Sequence, residues 1–103
     1  MIINGDKWEI HLVSPTHYQL RRSIGIFALG ACDNELKTIY INDELNKEYA
    51  KKVLCHELTH AAMFSYGITL TIEQEELLAD LVATYGQEII CMTNAIFKRI
   101  KEK

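Results

Sequence analysis

Proline occurs once in these 103 residues, at Pro15, and no stretch is rich in proline, glycine or serine. Nothing therefore marks a linker, a repeat or a low-complexity segment. Cysteine is sparse. Cys32, Cys55 and Cys91 are odd in number and far apart, with no C-x-x-C pair, so neither a disulfide framework nor a cysteine zinc cluster is suggested. A basic stripe is missing too, and the net charge of -3 leaves no electrostatic footprint for nucleic acid. No apolar run approaches the length of a membrane span, and Met1–Lys7 lacks the basic start and apolar core of a signal peptide. These absences lead to the expectation of a cytoplasmic protein without nucleic-acid or membrane partners.

What remains is ordinary for a globular chain: 49% hydrophobic and 24% charged residues. The length suits one domain over residues 1–103 with a single core. Within it stands His56-Glu57-Leu58-Thr59-His60, an H-E-x-x-H pattern. On a helix, positions i and i+4 share a face, so both imidazoles can hold one Zn²⁺. Glu57 between them is placed to take a proton from water at the metal's open position. A chance occurrence is expected about once in several hundred chains of this length, given how rare histidine is. The flanking Tyr49, Ala50, Val53, Leu54, Leu58, Ala61 and Ala62 recur at helical spacing, and Gly67 suits the residue just past the helix end.

Upstream, Trp8–Val13 alternates like a half-buried strand, with Asn4-Gly5 as a turn back to Met1–Ile3. His11 falls on its polar, solvent-facing side. Ser14-Pro15 predicts one or two helical turns over Thr16–Arg22. Residues 23–30 and 37–41 read as strands joined through Asp33-Asn34-Glu35 into an antiparallel hairpin. Asn42 or Asp43 is the expected cap of the motif helix. Thr71-x-x-Gln74 forms a capping box for a last helix. Its stripe of Leu78, Leu81, Val82, Tyr85, Ile89, Met92 and Ile96 is expected to pack on the body, with Gly86 as a weak point. The class is α+β: a small antiparallel sheet, then a zincin-type active-site helix and a C-terminal helix.

Catalytic zinc usually has three protein ligands. On the last helix Glu76 and Asp80 are four apart, beside small Ala79 and Ala83 that allow a close helix approach. Glu76 is the expected third ligand, with Glu75 as its competitor. Asp80 is expected to accept a hydrogen bond from the non-ligating nitrogen of His56 or His60. Cys55 is read as a buried apolar residue. His17, Tyr18, Tyr40, Tyr66 and Tyr85 are unranked candidates for an oxyanion donor.

His56–His60 followed by Glu76-Leu77-Leu78-Ala79-Asp80 resembles the H-E-x-x-H … E-x-x-A-[DN] pattern of ImmA/IrrE-type metallopeptidases, relatives of the gluzincins. Lys37–Asn42 is similar to the strand ahead of the motif helix in that family, so the likeness spans roughly residues 24–85. The resemblance implies zinc on His56, His60 and Glu76, Glu57 as general base, and Asp80 orienting a ligand. It implies an intracellular endopeptidase of the kind frequent in phages and mobile elements, with a protein or peptide substrate such as a regulatory repressor. The chain looks like a minimal member, without the extra C-terminal domain of some relatives. Metzincins are excluded, because Met63 and Tyr66 stand where glycine and histidine would follow. The rival reading is a zinc-stabilised module that binds a partner protein without cleaving it; a structural zinc domain would need a fourth ligand. Oligomeric state is left open.

Overall fold

The computed structural model describes residues 1–102. Strands β1 (Ile2–Ile3) and β2 (Asp6–Lys7) pair antiparallel across Asn4-Gly5. Both turn residues have positive φ (47° and 86°), the conformation an Asn-Gly hairpin turn requires. β3 (Glu9–Val13) follows, then a 3₁₀ turn at Tyr18–Leu20 within the segment expected to be helical. β4 (Arg21–Ser23) and β5 (Ile26–Phe27) form a short antiparallel ribbon, and β6 (Gly30–Asp33) and β7 (Thr38–Asn42) a hairpin.

The run at residues 23–30 is thus not one strand. Gly25, at φ +74°, turns the chain between β4 and β5, and the partner of β7 starts only at Gly30. The larger sheet has the order β3-β7-β6. β6 is antiparallel to β7 as the hairpin requires, whereas β3 adds a parallel edge in register from Glu9–Thr38 to Val13–Asn42. The intervening residues 14–37 supply the crossover that a parallel pair needs.

Alternation along β7 sets the two faces of the sheet. Ile39 and Ile41 pack with Trp8 and Ala61, and with half-buried Val53, Leu54 and Leu58. Tyr40 and Ala31 cover the other face with Leu20. α1 (Lys47–Ser65) lies on the first face and carries the motif. Its cap is Asn46, whose Oδ1 accepts from Tyr49 N at 2.9 Å, rather than Asn42 or Asp43. Asn42 Oδ1 instead accepts from Glu44 N in the turn that takes the chain off the sheet. At its far end Gly67, at φ +66°, lets Ile68 N return to Met63 O. Trp8 Nε1 donates to Ser65 Oγ at 2.7 Å, and Asn4 Nδ2 to Ser65 O, tying the N-terminal ribbon to this end.

α2 (Ile72–Leu81) opens with the Thr71/Gln74 capping box in place. A π-helical segment, Val82–Gly86, joins it to α3 (Gln87–Lys101). The expected stripe divides there. Leu78 and Val82 are half-buried, but Ile89, Met92 and Ile96 are exposed. The helical run from Ile72 to Lys101 is about 45 Å long at 1.5 Å per residue, against about 28 Å for α1. The body therefore ends before the helix does. Among the described residues, no helix is long and apolar enough to cross a membrane. The architecture is α+β.

Candidate metal centre

The motif helix offers its polar face at the point where α2 crosses it. Ala79 of α2 is fully buried, and its small side chain lets the helices approach closely. That approach sets Glu75, Glu76 and Asp80 opposite His56 and His60. The two imidazole Nε2 atoms lie 3.2 Å apart. Glu76 spans both, with Oε2 3.3 Å from His56 Nε2 and Oε1 3.1 Å from His60 Nε2. The opposite nitrogens are held by separate carboxylates: His56 Nδ1 lies 2.9 Å from Asp80 Oδ1, and His60 Nδ1 2.6 Å from Glu75 Oε1.

The closest carboxylate of each ring lies at Nδ1, at 2.9 and 2.6 Å against 3.3 and 3.1 Å at Nε2. With the proton at Nδ1, both Nε2 lone pairs face one point. Two lone pairs and a carboxylate at 3.1–3.3 Å are then three acceptors turned toward each other. A cation relieves that repulsion. The spacing fits: tetrahedral zinc with bonds of about 2.0–2.1 Å separates its ligand atoms by roughly 3.3 Å. The ligand atoms of His56, Glu57 and His60 also lie within 4.8 Å of one another, so the histidine pair has a carboxylate on two sides. Glu76 touches both Nε2 atoms, and Glu57 does not hydrogen-bond to either.

Glu57 is buried, and its Oε2 has no hydrogen-bond partner among the described residues. Burial pushes its carboxyl pKa up, and the imidazoles of His60 and His56 offset part of that rise. The carboxylate opens into a cleft of about 560 Å³ between α1, α2 and the residues leading into β6. Arg22, Tyr49 and Lys52 line it together with the site carboxylates. Arg22 Nη2 also reaches Gly30 O at 3.4 Å.

His56, Glu57, His60, Glu76 and Asp80 are thus brought together, and Glu75 joins them at the outer nitrogen of His60. None of His17, Tyr18, Tyr40, Tyr66 and Tyr85 lines the cleft. His17 instead stacks on Tyr18 and Tyr40, and Tyr40 lies on the sheet face away from α1. Tyr49 and Arg22 line it without having been singled out. Tyr49 had a signal, because it precedes His56 by two helical turns and shares its face. Arg22 had none, since its place depends on the β4–β5 ribbon. Cys55 is half-buried, and His11 is solvent-facing beside Glu9 at 3.4 Å.

A helix-borne H-E-x-x-H facing carboxylates on the next helix defines a metallopeptidase-type domain. The family described as IrrE N-terminal-like domain, a peptidase family, matches residues 17–100, and the chain belongs to it. No match emerges among curated proteins or solved structures.

Proposed function

We propose that this domain is a zinc-dependent endopeptidase in which His56, His60 and Glu76 hold the metal and Glu57 is the general base. The observation that carries the reading is the convergence of both Nε2 atoms and the Glu76 carboxylate at 3.1–3.3 Å. The chemistry a bound zinc supplies is Lewis acidity toward water and a peptide carbonyl. Glu57 accepts a proton from water in the cleft and returns it to the leaving amine. Its unpartnered Oε2 and burial-raised pKa suit a group that must hold a proton for part of the cycle. Asp80 and Glu75 keep the imidazoles oriented by accepting from their Nδ1–H groups.

The substrate is a protein segment bound in extended form along β6, the edge strand whose Gly30 lines the cleft. Leu29 O accepts from Asn42 N, so by antiparallel alternation Gly30 and Cys32 turn their backbone groups outward. A repressor-like regulatory protein and an intracellular setting remain the reading for substrate and location, supported by family membership and by three free cysteines.

The test is zinc content of the wild type, Glu57→Gln and Glu76→Gln, with cleavage of a mixed-sequence peptide library mapped by mass spectrometry. Glu57→Gln should retain zinc and lose cleavage, and Glu76→Gln should lose zinc. A wild type that binds zinc and cleaves nothing, with Glu57→Gln indistinguishable from it, would favour a zinc-stabilised binding module. A wild type without zinc overturns both.

A further inference from the structure

The cleavage proposed above puts negative charge on the scissile carbonyl oxygen, which calls for an oriented hydrogen-bond donor in the cleft. Arg22 is so placed. A smaller cavity of about 200 Å³ lies on the His60 side of the site, and Arg22, Glu57 and Glu76 line both it and the main cleft. Arg22 therefore stands where the two spaces meet over the base. Lys52 and Tyr49 also line the main cleft, but they lie one and two turns before His56, about 6 Å and 10 Å along α1. A β-bulge sets Arg22 there. Arg21 pairs with Phe27 and Ser23 with Ile26, so Arg22 is the extra residue of β4, outside the pairing of the ribbon. Among the described residues its guanidinium forms no ion pair, although two carboxylates line the same cavities. Its one side-chain hydrogen bond there runs from Nη2 to Gly30 O at 3.4 Å. Gly30 O is also an outward group of β6 that an added strand would pair with.

We infer that Arg22 is a catalytic residue: the substrate backbone displaces it from Gly30 O, and its guanidinium then donates to the scissile carbonyl oxygen as that oxygen becomes an oxyanion. The inference rests on the peptidase reading of the site. The water oxygen bonds to the carbonyl carbon, the carbonyl π pair moves onto the oxygen beside Arg22, and Glu57 takes the water's proton. When that pair returns, the C–N bond breaks and the amine leaves with the proton from Glu57. Arg22 keeps its own protons throughout, because a guanidinium does not ionise in a protein. It acts by charge and hydrogen bonding alone.

The test compares the wild type, Arg22→Ala and Arg22→Lys on a library peptide that the wild type cleaves. Zinc content, kcat and KM are measured, together with affinity for a phosphinic analogue of that peptide, whose anionic oxygen stands where the oxyanion forms. Arg22→Ala should keep its zinc and lose about 100-fold in kcat, the scale of one missing oxyanion donor, with KM little changed. Its affinity for the phosphinic analogue should fall by a similar factor while affinity for the cleavage products holds. A merely structural role would weaken both. Arg22→Lys, which keeps the charge, should fall between the other two. An Arg22→Ala protein that keeps its kcat, loses its zinc or changes KM alone overturns the inference and leaves the peptidase reading standing. A wild type that cleaves nothing overturns that reading, and the inference with it.

Discussion

Gly30 and Glu57 face each other at a separation that admits no side chain. A Cβ on Gly30 would stand 3.0 Å from Glu57 Cγ and 2.7 Å from Val53 Cγ1. The start of β6 therefore touches the motif helix through bare backbone, and the cleft narrows at the proposed base. Gly30→Ala must move either the strand or the Glu57 side chain. We expect a loss of about 1–3 kcal/mol, the usual cost of overpacking a close contact. Cleavage should fall further than the loss of folded protein explains. Urea unfolding and cleavage rate measured on the same preparations check this, and full activity with unchanged stability would tell against it.

The two outer carboxylates should not be equal. Glu75 approaches His60 Nδ1 at 2.6 Å with 21% of its side chain exposed, whereas Asp80 approaches His56 Nδ1 at 2.9 Å with 68% exposed. Water can replace Asp80 more readily than Glu75. Removal of such a partner typically costs 10–100-fold in metal affinity. Glu75→Gln should lie near the upper end of that range and Asp80→Asn near the lower. Competition with a zinc-chelating dye gives both constants, and an effect of Asp80→Asn exceeding that of Glu75→Gln would contradict the assignment.

The metal-site face of α1 was legible because two histidines at i and i+4 share a helix face whatever surrounds them. The carboxylates of α2 were legible as a group through the Glu76/Asp80 spacing and the small residues beside them. Their division of labour was not, since Glu75 reaches His60 Nδ1 only at the rotation tertiary packing selects. The strand at 23–30 misled for a local reason: Gly25 adopts positive φ, and an apolar run records burial tendency without recording a turn inside it. The stripe on the last helix misled differently. A period of 3.6 fixes which residues share a face, but not whether the body extends far enough to cover them. Arg22 could not be read at all, because it reaches the cleft from a two-strand ribbon with no sequence signature.

Cys32 lies beside Glu57, His60, Glu75 and Glu76 and provides a second pH-dependent signal, read on metal-free protein. Burial, with the Glu57 charge next, pushes its thiol up to about 12 from 9.0. A raised pKa in the folded state means a stabilising contribution that is full below pH 9 and lost as pH rises toward 12. The wild type should therefore lose stability between pH 8 and 11 more steeply than Cys32→Ala, all other titrations being shared. Exposed Cys91 should react with a thiol reagent first, and Cys32 only on unfolding. Urea midpoints across that pH range decide it; parallel slopes for the two proteins would show that the thiol is not held neutral.

Glu57 should have the same sign in the carboxylate range. In metal-free protein its buried carboxylate has an oxygen without a partner, and burial raises its pKa above 4.5. The folded chain then holds this proton more tightly than the unfolded chain does. Stability from Glu57 is complete below the ordinary carboxylate value and declines as pH rises through the folded value. Glu57→Gln removes that decline because the amide does not titrate. With a chelator present, the variant should be more stable than the wild type at pH 8, by about 1 kcal/mol, the usual scale for an unsatisfied buried polar group. The gap should shrink at pH 5. A gap of equal size at both pH values would show that Glu57 is solvated in the folded state, and would weaken its case as a general base.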